Sequence, residues 1–122
     1  MPTILVVDDN PIALMSRRFV LERAGYTVLP ATDVPEALDV VHAHAVDVVL
    51  MDYYLPSGTG EDARRRMKHI RPGMPILVLS GAAEMPEDLS NIDLFLSKLD
   101  GPEHLLEAIR RFVPPGLSNK AA

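Results

Sequence analysis

Cysteine is absent from the sequence, and long hydrophobic runs are absent as well. Without cysteine the chain has no disulfide, no thiolate nucleophile and no thiolate metal ligand, which suits a reducing compartment. Every apolar run ends well before the roughly 20 residues needed to cross a bilayer. The N-terminus MPTILVV lacks the basic region and the cleavage site of a secretory signal. We therefore expect a cytoplasmic protein with no membrane contact.

Positive charge is also in short supply. The chain has 12 Lys and Arg residues against 17 Asp and Glu residues, a formal net charge of −5 at pH 7. This balance disfavours binding to nucleic acids, and the basic run RRRMK at 64–68 is interpreted as the solvated face of a helix. The length, 122 residues, indicates a single domain with a core of its own. We expect this domain to span 1–115, with 116–122 as a disordered tail.

Short apolar runs alternate with stretches of helical periodicity. Five runs are predicted strands: TILVV (3–7), YTVLPA (26–31), VDVVLM (46–51), MPILVLS (74–80) and DLFLS (93–97). Helices are predicted at about 11–24, 34–44, 60–71 and 102–113. Strands that are apolar on both faces and alternate with helices are typical of a parallel sheet covered on both sides. The predicted fold class is α/β.

Local signals set the limits of two helical segments. Asn10 is expected to cap the first helix, which opens at Pro11 and ends before Gly25. Three apolar residues share one face of this helix: Ile12, Met15 and Phe19. The interval 81–92, between the fourth and fifth strands, lacks a helical stripe of useful length. A helix there is expected to be shortened or absent.

Polar and charged side chains follow four of the five predicted strands. Asp8 and Asp9 follow the first strand, Asp52 the third, Ser80 ends the fourth, and Lys98 follows the fifth. The carboxyl ends of parallel strands meet at one edge of the sheet, where ligands bind. Two unit charges about 4 Å apart repel by roughly 4 kcal/mol at an effective dielectric constant near 20. Such carboxylates need a cation, and their oxygens suit Mg²⁺ (or Mn²⁺).

The same residues predict phosphoryl chemistry. Asp52 stands alone at the end of the most buried strand, so it is the predicted nucleophile, which would form an aspartyl phosphate. The hydroxyl of Ser80 can donate to one phosphoryl oxygen, and the ammonium of Lys98 can neutralise another. Self-phosphorylation from a phosphodonor and self-dephosphorylation are the only reactions expected.

Four motifs resemble the response-regulator receiver domain of two-component signalling: LVVDDNP, DVVLMDYYLPSGTG, ILVLSG and FLSK. The likeness covers about residues 3–113 and implies a flavodoxin-like sheet in the order 2-1-3-4-5. It also implies that Asp9 binds Mg²⁺ directly and Asp8 through water, with the backbone carbonyl of Tyr54 and the phosphoacceptor Asp52 completing the protein ligands.

The resemblance further implies a signalling cycle. A histidine kinase or a histidine phosphotransfer protein would donate the phosphoryl group. Ser80 would then move inward, Phe95 would pack behind it as the switch residue, and a downstream protein would respond. Tyr54 and Ala82 would flank the path of the hydrolytic water and tune dephosphorylation. Dimerisation is left open.

One position departs from the family pattern. Leu99 follows Lys98 where receivers usually carry proline, so we expect a trans peptide bond there. This departure and the shortened or absent helix in the interval 81–92 support an alternative, a pseudo-receiver docking module that works without phosphorylation. A phosphatase of the aspartyl-nucleophile type is disfavoured because Tyr54 occupies the position of its second aspartate.

Overall fold

The protein is an alternating α/β domain, described here from a computed structural model that covers residues 1–55, 60–81 and 90–115. The strands are β1 (Thr3–Val7), β2 (Thr27–Ala31), β3 (Val48–Asp52), β4 (Ile76–Ser80) and β5 (Leu94–Ser97). The helices are α1 (Pro11–Arg23), α2 (Val34–Ala43), α3 (Gly60–Ile70) and α4 (Pro102–Phe112). All strands pair in parallel in the order β2-β1-β3-β4-β5. The predicted fold class and strand order are confirmed.

Apolar side chains on the two faces of the sheet form two cores. Helices α2 and α3 cover one face through Val34, Ala37, Val41, Ala63 and Met67. Helices α1 and α4 cover the other through Leu14, Leu21, Leu105, Ala108 and Ile109. Burial on both faces explains why the strands are continuously apolar, and it leaves the carboxyl edge of the sheet as the place where polar side chains gather.

Helix α1 begins as the sequence indicates but packs through a different face. The side chain of Asn10 accepts hydrogen bonds from the backbone N–H groups of residues 12 and 13, and Pro11 is the first helical residue. However, the apolar residues predicted to share a face are exposed: Ile12 by 79%, Met15 by 70% and Phe19 by 61%. The buried side chains are Leu14 and Leu21. Helix α1 therefore presents an apolar stripe to solvent.

The basic run in α3 is only partly a solvated face. Arg65 and Arg66 are exposed and form ion pairs with acidic residues one turn earlier in the helix. Arg64, in contrast, is buried. Its Nε donates to the backbone carbonyl of Ser90 at 2.9 Å, and its guanidinium carbon lies 5.7 Å from the centre of the Tyr53 ring. The interpretation of the run as solvated was wrong for Arg64.

Two predictions fall on segments outside the described residues. The shortened or absent helix between β4 and β5 falls mainly on 82–89, and the tail falls on 116–122.

The bond between Lys98 and Leu99 is trans, as expected, since the described residues contain no cis peptide. Among the helices of these residues, none combines the length and the apolar character needed to cross a membrane.

Candidate functional site

Three carboxylates meet at the carboxyl edge of the sheet. Asp8 and Asp9 follow β1, and Asp52 is the last residue of β3. One oxygen from each of the three lies within 4.8 Å of the others. Asp8 is completely buried and Asp52 is 7% exposed, whereas Asp9 faces solvent. The sequence predicted this cluster from the shared carboxyl edge of parallel strands, and the structure pairs β1 directly with β3.

Asp8 is held by partners on both carboxylate oxygens. Its Oδ1 accepts a hydrogen bond from the backbone N–H of Asn10 at 2.8 Å, which links the carboxylate to the residue that caps α1. Its Oδ2 accepts from Nη1 of Arg17. The Nζ of Lys98 lies 4.0 Å from the same Oδ2. The local backbone and two cations therefore fix the orientation of Asp8.

Asp52 and Lys98 form a direct ion pair across the sheet edge. The Nζ of Lys98 donates to Oδ2 of Asp52 at 2.8 Å, and the backbone N–H of Tyr54 donates to Oδ1 at 3.3 Å. The backbone N–H of Lys98 donates to the carbonyl of Ser80 at 2.8 Å. This last bond holds Lys98 at the end of β5 beside β4, so its side chain reaches the carboxylate at the end of β3.

The charges and donor atoms of the site fit a hard divalent cation. Three carboxylates face two cationic side chains, Arg17 and Lys98, which leaves one negative charge uncompensated among these five groups. The convergent donors are all oxygens, which Mg²⁺ and Mn²⁺ prefer. The residues predicted from the sequence therefore form a donor set of the right chemistry.

Ser80 and Phe95 lie on neighbouring strands. Ser80 is buried, and β4 pairs with β5 so that Val78 lies opposite Phe95 and Ser80 opposite Ser97. Side chains alternate along a strand, so Ser80 and Phe95 belong to the same face of the sheet. Phe95 is partly buried against the core under α2 and α3. This placement brings the two predicted switch residues together, and their switching role stays a prediction.

The residues predicted to tune dephosphorylation are only partly described. The side chain of Tyr54 is exposed, and its ring meets that of Tyr53 edge to face with the ring centroids 4.9 Å apart. Ala82 lies outside the described residues. The metal-binding role of the Tyr54 carbonyl stays a prediction.

Arg17 is a site residue that sequence reasoning missed. It lies on the face of α1 that packs on the sheet, three residues after Leu14 and four before Leu21. The 3.6-residue period gave this signal, since Leu14 and Leu21 mark the buried face and Arg17 lies between them. The apolar residues at 12, 15 and 19 formed the more conspicuous pattern, and they lie on another face of the helix.

The fold and the site together define a flavodoxin-like α/β domain with a carboxylate cluster and a lysine at one sheet edge. The model of the response regulator receiver domain matches residues 4–110. The chain therefore belongs to the response regulator receiver family of two-component signalling. The autoinducer 1 sensor kinase/phosphatase LuxN of Vibrio harveyi is 34% identical over 122 residues, which are 99% of this chain. The chain spans only 14% of the length of LuxN.

Two solved structures are similar to the chain over most of its length. A response regulator from Burkholderia pseudomallei, solved with a phosphorylated aspartic acid, a calcium ion and citrate, has a TM-score of 0.80 and 28% identity. The match covers 88% of this chain and 66% of that one. The response regulator TrrA from Thermotoga maritima, in complex with Mg²⁺-BeF, has a TM-score of 0.86 and 25% identity, over 93% and 100% of the two chains.

Proposed function

We propose that this receiver domain accepts a phosphoryl group on Asp52 in a two-component or phosphorelay pathway. The observation that carries the proposal is the 2.8 Å contact between Asp52 Oδ2 and Lys98 Nζ inside the three-carboxylate cluster. Similar chains support it, since one carries a phosphorylated aspartic acid and another binds Mg²⁺-BeF.

The proposed transfer makes one bond and breaks one. A carboxylate oxygen of Asp52 attacks phosphorus, and the bond between phosphorus and the donor nitrogen of a phosphohistidine breaks, leaving an aspartyl phosphate and a free histidine. Asp8, Asp9, Asp52 and the Tyr54 carbonyl would hold Mg²⁺ (or Mn²⁺), which would supply positive charge to the phosphoryl oxygens. Lys98 exchanges its contact with the carboxylate for one with a phosphoryl oxygen.

The signal would leave the site through β4 and β5. The hydroxyl of Ser80 donates a hydrogen bond to a phosphoryl oxygen, and Phe95 packs more deeply on the same face of the sheet. Water later hydrolyses the aspartyl phosphate, and Tyr54 and Ala82 limit its access. A downstream protein recognises the changed surface.

The surface around the site supports a protein as phosphodonor, either a histidine kinase or a histidine phosphotransfer protein. Four exposed apolar side chains follow site residues closely in the chain: Ile12 and Met15 at the start of α1, Tyr54 two residues after Asp52, and Leu99 after Lys98. Exposed apolar side chains close in the chain to a charged site are ones that a protein partner would cover. From such donors we infer a cytoplasmic location for the proposed function.

The proposal is tested by labelling with acetyl phosphate in the presence of Mg²⁺. Intact-protein mass spectrometry should show the gain of one phosphoryl group, stable in acid and lost in base. Asp52→Asn should abolish the gain, whereas Asp62→Asn, at a carboxylate on the exposed side of α3, should leave it unchanged. Labelling of Asp52→Asn to the wild-type level would contradict the assignment.

A second function has one observation in its favour. Arg17 already pairs with Asp8, as expected of a pseudo-receiver docking module in which a protein side chain, in place of a metal, compensates the buried carboxylate. In that case neither wild type nor any variant gains a phosphoryl group. Asp52→Asn would then bind the downstream protein as well as wild type, with and without acetyl phosphate.

A further inference from the structure

Arg17 reaches the carboxylate cluster from outside the set of residues that the proposed chemistry uses. It belongs to the middle of α1, its side chain is 14% exposed, and its Nη1 pairs with Oδ2 of Asp8. Asp8 is completely buried, so its charge depends on a nearby partner. In the described structure Arg17 is the closer of two cationic partners, since the Nζ of Lys98 lies 4.0 Å from the same oxygen.

The position of Arg17 conflicts with a divalent cation at the same carboxylate. Oδ1 of Asp8 already accepts from the backbone of Asn10, and Oδ2 accepts from Arg17. A guanidinium in contact with Oδ2 repels a second cation that approaches this oxygen, directly or through water, and it occupies lone pairs that the cation or its water would use. Arg17 and the metal therefore oppose each other at Asp8.

We propose that Arg17 is a resident counter-ion that competes with Mg²⁺ for Asp8 and thereby lowers the metal affinity of the site. The inference rests on the metal of the proposed function but concerns metal binding alone. Arg17 stabilises the metal-free protein, and Mg²⁺ binds at the cost of the contact between Arg17 and Asp8. Because the two cations compete for Asp8, a change that weakens this contact strengthens metal binding by up to the same factor.

A cavity beside the site gives the displaced side chain a place to go. It has a volume of about 190 Å³ and lies between α1, the ends of β4 and β5, and the start of α4. Arg17 itself lines the cavity, together with apolar Leu79 and Leu96 and the carboxylate-bearing Asp100. On metal binding, the guanidinium leaves Asp8 and moves into this space, where Asp100 offers it a new partner.

The first test is a Mg²⁺ titration without any phosphodonor. Tyrosine fluorescence follows binding, because Tyr53 and Tyr54 adjoin Asp52 and the chain has no tryptophan. Arg17→Gln should tighten Mg²⁺ binding on the order of tenfold. Arg17→Lys keeps the charge and should stay near wild type. Arg18→Gln is the matched control, since Arg18 is the next residue of α1 and pairs with Glu22 on the exposed surface, and its affinity should equal that of wild type.

Two further readouts keep the proposal testable if Arg17→Gln folds poorly without metal. The variant should melt at a lower temperature than wild type in metal-free buffer and should gain more than wild type from saturating Mg²⁺. In the wild-type protein, the side-chain Nε–H signal of Arg17 in NMR spectra should shift as Mg²⁺ saturates the site, whereas that of Arg18 should not.

The outcomes separate this inference from the proposed function. The inference is overturned if wild type and Arg17→Gln bind Mg²⁺ with equal affinity, or if the Arg17 Nε–H signal does not shift as Mg²⁺ is added. Either result leaves the proposed phosphorylation of Asp52 unaffected. Binding by Arg17→Gln but not by wild type supports the inference in its strongest form. Absence of binding in both chains overturns the inference and also removes the metal from the proposed function. Failure of acetyl phosphate labelling alone affects only the proposed function.

Discussion

Lys98 Nζ lies 2.8 Å from Oδ2 of Asp52, although the two residues are 46 positions apart in the chain and lie at the ends of two strands that β4 separates. The contact exists because β5 ends beside β4, where the Lys98 N–H bonds to the Ser80 carbonyl, and the long lysine side chain spans the remaining gap. A phosphoryl group on Asp52 would therefore lie within reach of the Lys98 ammonium.

Lys98→Met should slow the labelling of Asp52. The substitution removes the cation that would neutralise a phosphoryl oxygen, and loss of one such group costs about a hundredfold or more in rate. The rate of acetyl phosphate labelling, followed by mass spectrometry, measures the effect. Lys68→Met is the control, because Lys68 binds Met74 and Asp93 away from the site and should change stability but not labelling. Equal rates in Lys98→Met and wild type would remove Lys98 from the chemistry.

Tyr54→Ala should shorten the life of the aspartyl phosphate. Tyr54 lies two residues after Asp52, with an exposed ring, and a small side chain there would admit water to the acyl phosphate. The decay of labelled protein after removal of acetyl phosphate measures the lifetime. Tyr54→Phe keeps the ring and should decay like wild type. A lifetime unchanged in Tyr54→Ala would show that the ring does not shield the site.

Two substitutions in α1 should differ sharply in their effect on stability. Leu14→Ala empties space in the core beneath α1 and should lower the free energy of unfolding by about 2–4 kcal/mol. Ile12→Ala acts on an exposed side chain and should change it by less than about 0.5 kcal/mol. Urea unfolding measures both. A larger loss in Ile12→Ala than in Leu14→Ala would mean that α1 packs through its other face.

Tyr26 should make stability fall at alkaline pH. Burial raises the pKa of its hydroxyl above the ordinary value of 10.0, although Arg110 opposes the shift, and the hydroxyl donates to the Val113 carbonyl at 2.7 Å. Because the folded-state pKa is the higher one, the contribution is complete below pH 10 and is lost as the pH rises through the folded pKa.

Tyr26→Phe isolates this effect. It should cost about 1 kcal/mol at neutral pH through the lost hydrogen bond and should flatten the decline in stability above pH 10. Urea unfolding of both chains between pH 7 and 11 provides the comparison. An equally steep alkaline decline in the variant would assign the effect to another group.

The strands and the carboxylate cluster were predictable because they depend on local pattern and on one rule of topology. Continuous apolar runs indicated buried parallel strands, and the parallel arrangement then brought Asp8, Asp52 and Lys98 to one edge. The packed face of α1 was not predictable from its largest apolar residues, because Ile12 and Phe19 face solvent. Leu14 and Leu21 are fewer and carried a weaker signal.

The burial of Arg64 was also outside the reach of sequence reasoning. Arg64 follows Ala63 on the inner side of α3, but its partners, the Ser90 carbonyl and the Tyr53 ring, come from other parts of the chain. Arginine is almost never fully buried unless it is paired, so the sequence alone predicts a solvent-exposed side chain unless the partners are known.

The central claim is that Asp52 with its neighbours forms a working phosphoryl switch, and beryllofluoride with Mg²⁺ tests it most directly. Amide NMR spectra of wild type should shift at residues 8, 9, 52, 80 and 98, and the shifts should extend along β5 to Phe95 only when the phosphoryl mimic is present. Asp52→Asn should show neither the mimic-dependent shifts nor their extension. Shifts confined to the carboxylates, or identical spectra in the variant, would contradict the account.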